Sequence, residues 1–177
     1  MRHSAFSICG GTFFVKGSNS MKILVFSDSH GSYSRLERAA DAHPDADMYI
    51  FLGDGLRDAD RLFESKRGIA SVAVKGNCDI SGVGFSDVYL DEQTIDLSGI
   101  RIFCCHGHKY GVKSSELNLW FRAKEKGADL ALFGHTHVPF ERVYEGVRLF
   151  NPGSVSLGSY GVIYIENGAV IASHGKI

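Results

Sequence analysis

Residues 21 to 30 read "MKILVFSDSH", an apolar run that stops on Ser27, Asp28, Ser29 and His30. A short run of this kind, with β-branched and aromatic members, fits a strand buried on both faces. The polar cluster then falls at the strand's carboxyl end, where open α/β sheets place their ligands. Reading outward, the same rhythm returns. "SYSRLERAADAH" (32–43) predicts a helix with Leu36, Ala39 and Ala40 on one face and a cap at Ser32 or Ser34. "MYIFLGD" (48–54) is a second strand, "RDADRLFESK" (57–66) a second helix and "SVAVKGN" (71–77) a third strand. Strands alternating with helices predict a parallel sheet with crossover helices.

The pattern changes after the third strand. "VYLDEQTIDL" (88–97) and "IRIFCCHG" (100–107) read as an antiparallel pair, and "SSELNLWFRAKEKG" (114–127) as a helix before the strand that opens "LALFGHTH" (130–137). "FERVYEGVRLF" (140–150) and "YGVIYIENGAVIASHG" (160–175) read as short antiparallel strands turning at Glu145-Gly146 and Asn167-Gly168. The mixture predicts two sheets face to face, each covered on its outer side by helices.

The chain of 177 residues, 44% of them hydrophobic, has the size and apolar content of one domain. We place that domain at residues 21–177. Residues 1–20, "MRHSAFSICGGTFFVKGSNS", fit an N-terminal extension better than a secretory leader, because Gly10, Gly11 and Lys16 break the apolar segment. With a net charge of -1 and no basic run, nothing calls for a nucleic acid or an anionic membrane as partner. No stretch is long and apolar enough to span a membrane. Cys9, Cys78, Cys104 and Cys105 lack zinc-ribbon spacing, which favours a reducing, cytoplasmic setting.

Polar residues gather where the apolar runs stop. Asp28 and His30 follow the first strand, Asp54 the second, Asn77 the third, His106 a later one, and His135 with His137 another. Residues i and i+2 of a strand point to one side, so the two imidazoles of the HTH stretch would face one site together. Taken singly, Asp28 reads as a helix cap, Gly53-Asp54-Gly55 and Asn77 as turns, and His106 as a core histidine. Together they form a mixed nitrogen and oxygen donor set suited to Mn, Fe, Ni, Co or Zn. Asp54 could bridge two such ions, as a phosphoesterase requires.

The ordered pieces "DSH" (28–30), "GD" (53–54), "GNCD" (76–79), "HGH" (106–108), "GHTH" (134–137) and "NPGS" (151–154) resemble the calcineurin-like metallophosphoesterase superfamily, in particular its small bacterial and archaeal phosphodiesterase branch. The resemblance spans about residues 21 to 174. It implies an α/β fold, a four-layer α/β/β/α sandwich of two mixed sheets with a dinuclear metal centre at the sheet edge. Carried over to this chain, Asp28, His30 and His137 would hold one ion. Asn77, His106 and His135 would hold the other, with Asp54 bridging. The two histidines of the HTH stretch would then serve different ions.

The expected activity is metal-dependent hydrolysis of a small phosphodiester by a water that two divalent ions activate, with Mn the leading choice. Asp54 and Asn77 would act in catalysis as well as in binding metal. Larger relatives carry histidine after the asparagine of "GN", where this chain has Cys78, so the leaving-group acid is open. His108 is a candidate for that role or for a phosphate contact. Ser154 or nearby N–H groups of "NPGS" could support the site, although a plain turn is the simpler reading. Tyr110 and the loop around it are candidates for substrate contact, although a solvated loop is the simpler reading. Arg101, Arg122 and Lys124 are cations that the sequence does not place. The alternative to an enzyme is a scaffold of the same fold, as in a retromer subunit that lacks the full catalytic set, or a metal-binding regulator. The late strands offer pairing edges that would suit a homodimer.

Overall fold

The computed structural model describes residues 20–79 and 88–177. Among them the order of elements is β1 (Ser20–Phe26), α1 (Tyr33–Asp41), β2 (Met48–Phe51), α2 (Leu56–Ser65), β3 (Ala70–Ala73), β4 (Glu92–Leu97), β5 (Ile100–Cys105), α3 (Leu117–Glu125), β6 (Leu130–Leu132), β7 (Pro139–Tyr144), β8 (Val147–Pro152), β9 (Ser159–Glu166) and β10 (Ala169–Lys176). One sheet is ordered β10-β9-β1-β2-β3 and the other β4-β5-β6-β8-β7. Both are mixed: β1, β2 and β3 run parallel, as do β5, β6 and β8, while β9, β10, β4 and β7 join antiparallel. The expected extension, residues 1–20, lies outside the described residues except for Ser20, which opens β1 opposite Glu166.

Period-two alternation of apolar side chains builds the layers. In β1, Ile23 and Val25 enter the layer between the sheets, whereas Leu24 and Phe26 enter the layer beneath α1 and α2. In β2, Ile50 joins the first layer and Tyr49 and Phe51 the second. The other sheet repeats this scheme. Ile102 and Cys104 of β5 and Leu130 and Leu132 of β6 face the inter-sheet layer, while Phe103, Cys105 and Ala131 pack with Leu119, Trp120 and Ala123 of α3. Three apolar layers thus separate helices, sheet, sheet and helix, the expected four-layer sandwich. Because strands buried on both faces need apolar residues at every position, β1 and β2 read as unbroken runs.

Local signals set the element ends. Pro44 stands just past α1, where it discourages further helix. Gly127, at φ 66°, closes α3 with a Schellman pair in which Gly127 N donates to Lys124 O and Ala128 N to Ala123 O. Left-handed pairs at Glu145-Gly146 and Asn167-Gly168 make the two expected hairpin turns. Ser32 occupies the N-cap position of α1, yet its side chain makes no capping bond, contrary to expectation.

On the α3 side, Glu92 gathers Arg122 (Nη2 to Oε1, 2.6 Å), Lys126 (3.4 Å) and the Tyr110 hydroxyl. Burial alone would raise this carboxyl, but Arg122, Tyr110 and Lys126 outweigh it and hold the pKa at about 2. A depressed carboxylate stabilises the fold at neutral pH and loses that contribution as pH falls towards its folded value. Glu92→Gln should therefore cost about 1–2 kcal/mol at pH 7, allowing for solvent at this partly exposed cluster. The difference from the parent should shrink as urea midpoints are followed from pH 5 down to about pH 2. Equal midpoints at pH 7 would contradict this account.

Candidate metal centre

The carboxyl ends of β1, β2, β3, β5 and β6 meet, and the loops after them bring Asp28, His30, Asp54, Asn77, His106, His135 and His137 to that edge. His137 Nε2 lies 3.0 Å from Asp28 Oδ1 and 3.2 Å from His30 Nε2. His106 Nε2 lies 3.3 Å from Asp54 Oδ2 and 3.9 Å from Asp28 Oδ1. His30 Nε2 stands 3.8 Å from Asp28 Oδ1 and 4.0 Å from Asp54 Oδ2. Ligand atoms of Asp28, His30 and His137 form one group, and those of Asp54, His106 and His135 another, each with all atoms within 4.8 Å of one another. The HTH pair therefore divides between two groups. Cys78 Sγ also comes within this reach of His30 and Asp54.

Strand pleating is not what brings the two histidines here, as β6 ends at Leu132. His135 and His137 instead take left-handed backbone, at φ 67° and 62°. Asp28 (53°), His30 (44°) and Asp54 (59°) do the same, while Ser98, Glu145 and Asn167, the other left-handed non-glycine residues among those described, lie in hairpin turns. Outside turns, such backbone concentrates at functional sites because it turns a side chain where regular structure cannot.

Neighbours hold this arrangement in place. Asp28 Oδ2 accepts from Ser27 Oγ (2.5 Å) and from His135 N (3.0 Å), so Asp28 caps no helix and instead ties the loop after β1 to the loop after β6. Gly134 permits that approach, since a Cβ there would stand 1.9 Å from Ser27 Oγ. The Leu52 carbonyl, which can only accept, lies 2.7 Å from His106 Nδ1. The ring proton is thereby fixed on Nδ1 and the Nε2 lone pair faces Asp54. Asp54 Oδ1 accepts from Cys78 N at 2.7 Å, gripping the loop that carries Asn77.

The "NPGS" segment does more than turn the chain. Ser154 Oγ donates to the Asp28 carbonyl (2.8 Å), and Asn151 Nδ2 donates to the Gly134 carbonyl (2.7 Å) and to Thr136 Oγ1 (3.1 Å). Two acids were missed from the sequence. Asp58 accepts from Ser29 Oγ (2.6 Å) and Gly31 N (3.0 Å), flanking His30, and Asp79 accepts from four backbone amides around Asp54. Each lies in or beside a motif, Asp79 within "GNCD" itself, but hydrogen bonding to distant amides leaves no mark in spacing.

His108 is drawn to the second group, its ring centre 5.4 Å from that of His106 and 6.1 Å from that of His135. Its Nδ1 is buried with no hydrogen-bond partner among the described residues. Tyr110, by contrast, packs on Phe103 and bonds to Glu92, which replaces the expectation of substrate contact with a structural role. The cations the sequence could not place are engaged by acids: Arg101 by Asp96, Arg122 by Glu92 and Glu125, and Lys124 by Glu145.

Electrostatics favour cation binding. In the metal-free state burial would raise the Asp54 carboxyl, but a protonated His106 ring, Nε2 3.3 Å away, and the Cys78 donors hold it well below the usual range; an ion would take the place of that Nε2 proton and meet the lone pair. Burial and the nearby His106 and Lys113 charges push His135 down to about 4, leaving a neutral imidazole at pH 7. Burial and the Asp54 carboxylate push the Cys78 thiol up to about 11, so it is no thiolate nucleophile at neutral pH.

Residues and ions fit each other. Asp28 Oδ1 and His106 Nε2 are buried without a hydrogen-bond partner among the described residues, which is costly unless a cation meets them. Two donors on one ion at about 2.1 Å, at angles of about 90–110°, stand about 3.0–3.4 Å apart, as the contacts around His137 do.

A sequence model of the calcineurin-like phosphoesterase superfamily domain matches residues 21–168. The chain belongs to this superfamily. A probable metallophosphoesterase, YsnB of Bacillus subtilis (strain 168), is 35% identical over 157 residues, covering 84% of this chain and 87% of that protein. The phosphodiesterase YfcE of Escherichia coli (strain K12) is 31% identical over 180 residues, covering 86% and 92%. A predicted phosphoesterase from Streptococcus pneumoniae TIGR4 superposes with a TM-score of 0.74 at 27% identity, covering 89% of this chain and 90% of that one. Vacuolar protein sorting 29 from Cryptosporidium parvum, at 14% identity and a TM-score of 0.69 over 89% and 98% of the chains, shares the fold alone. As a member of the calcineurin-like superfamily the chain is a phosphoesterase by family, and family and candidate ligand groups alike imply divalent metal ions.

Proposed function

We propose that the protein is a phosphodiesterase that hydrolyses small phosphodiesters at a two-ion centre. The observation that carries this is the division of six donors into two adjoining groups, with Asp54 Oδ2 between His106 Nε2 at 3.3 Å and His30 Nε2 at 4.0 Å. Asp28, His30 and His137 would hold one ion, Asn77, His106 and His135 the other, and Asp54 would serve both. Mn is our leading choice, with Ni, Fe, Co and Zn also compatible with nitrogen and oxygen donors. Bound ions would supply Lewis acidity and lower the pKa of water towards neutrality.

The chain's own residues supply orientation and proton handling. Asp28 and Asp54 present their oxygens from fixed loops, His106 keeps its lone pair free through the Leu52 carbonyl, and neutral His135 binds without first losing a proton. No covalent intermediate is needed, which agrees with a Cys78 thiol held protonated. His108 is our candidate for the proton donor to the leaving group or for a phosphoryl contact. Burial and the His106 charge lower its pKa, which disfavours the charged ring and so favours the phosphoryl contact over proton donation at neutral pH. A scaffold or purely regulatory role is the second reading. A complete donor set with orphaned buried atoms speaks against it, since a scaffold gains nothing from that desolvation.

The phosphodiesterase name of a relative favours a diester over a monoester. A formal charge of -1 disfavours nucleic acid. We place the protein in the cytoplasm, because Cys78, Cys104 and Cys105 are free thiols that suit a reducing compartment; no helix among the described residues is long and apolar enough to cross a membrane. The edge strands β10 and β7 offer a route to a homodimer, which the solution mass would decide.

The deciding assay is hydrolysis of bis-p-nitrophenyl phosphate, with p-nitrophenyl phosphate beside it, by chelator-stripped protein before and after Mn refilling. Activity on the diester should vanish and return. A His108→Ala arm should lose more rate on esters with poor leaving groups than on activated ones. Folded, metal-filled protein that cleaves neither compound would put the scaffold reading ahead.

A further inference from the structure

The loop after β2 carries Asp54, and the loop after β3 carries Asn77. These loops touch backbone to backbone: a Cβ on Gly53 would lie 2.5 Å from Gly76 N. One carboxylate spans the contact. Asp79 Oδ2 accepts from Asp54 N (2.7 Å) and Gly76 N (2.9 Å), and Asp79 Oδ1 from Gly55 N (2.9 Å) and Leu56 N (3.0 Å). Gly55, the N-cap of α2, has no side chain with which to cap it, so an acid from the neighbouring loop satisfies the helix's first amides instead. The grip is mutual, because Asp54 Oδ1 accepts from Cys78 N, one residue before Asp79.

Resting on the two-ion reading above, we propose that Asp79 is a positioning residue which sets the Asp54 carboxylate and the Asn77 loop in one register, and so determines whether the second ion is held. Asp79 is no candidate ligand itself, for its oxygens are occupied by four amides. Its effect runs through Asp54, whose left-handed backbone (φ 59°) needs neighbours that fix it. Without the shared acceptor, two close-packed loops would face each other with amides unsatisfied, and the spacing of Asp54 to Asn77 would loosen.

The test is calorimetric titration of metal-free, folded protein with Mn2+, well below each variant's melting temperature. Asp79→Asn places an amide NH2 where two backbone N–H groups expect an acceptor. It should bind one of the two ions about 10–100-fold more weakly than the parent. Glu92→Gln, which lowers stability away from the site, should bind both ions as the parent does. Parent-like affinity for both ions in Asp79→Asn would overturn the proposal, as would equal weakening in Glu92→Gln. If Asp79→Asn does not fold, Asp79→Glu takes its place; a smaller weakening is then expected, and parent-like affinity at both positions overturns the proposal. A parent that binds no Mn2+ would remove the two-ion reading instead.

Discussion

Asp54→Asn should lose at least one of two ions and on the order of 10³ in kcat/KM on a diester, about 4 kcal/mol of transition-state stabilisation. Charge is only part of the reason. The Asn oxygen can still accept from Cys78 N, as Asp54 Oδ1 does at 2.7 Å, so the loops stay closed. The other corner becomes an NH2 group facing His106 Nε2, which stands 3.3 Å from Asp54 Oδ2. Because His106 gives its Nδ1 proton to the Leu52 carbonyl, Nε2 would accept a hydrogen bond from that amide. The lone pair meant for an ion would be spent inside the protein. The expected variant is folded and deficient in metal, as elemental analysis after dialysis would show. Two tightly retained ions would sink the assignment of Asp54 as a bridge.

Gly76→Ala should damage the site severely while leaving every donor chemically intact. Its methyl would stand 2.2 Å from Asp54 Oδ1 and 2.4 Å from Asp54 N, distances that require the loops to part. Gly76 is not in the left-handed region, so the cost is one of contact rather than conformation. Overpacking at backbone costs about 3 kcal/mol, at the upper end for inserted methyl groups. Urea unfolding should show that loss, and Mn2+ affinity should fall with it. Parent-like stability with both ions bound would mean that the loops are less closely packed than described.

The sequence was most legible where side-chain period and strand ends carry the information. Short apolar runs in "MKILVF" and "MYIF" revealed strands buried on both faces, and the residues following five strands named the candidate ligands. Hairpin turns at Glu145-Gly146 and Asn167-Gly168 were legible from local backbone chemistry. What escaped were relations between loops distant in sequence. Asp79 and Asp58 act on amides more than twenty residues away, and Asn151 reaches Gly134, so their roles depend on how the sheets bring loops together. The HTH stretch was read with the wrong geometry, since a strand was continued past Leu132 when the chain had already turned. Tyr110 was misplaced for a related reason: an aromatic beside a histidine cluster suits substrate and core equally well until Glu92 is seen to hold it.

The five left-handed residues at the site complicate how it can be dissected. Aspartate and histidine accept this backbone more readily than most residues do. Alanine at position 28, 30, 54, 135 or 137 would remove a donor and also add about 1 kcal/mol of backbone cost, the scale of a single unfavourable left-handed residue. An alanine scan would then report donor loss and backbone unease as one number. Asparagine at each position separates them, since it tolerates the same φ while changing the donor. A protein engineer moving this site to another scaffold inherits the same constraint: the loops would have to travel with their side chains.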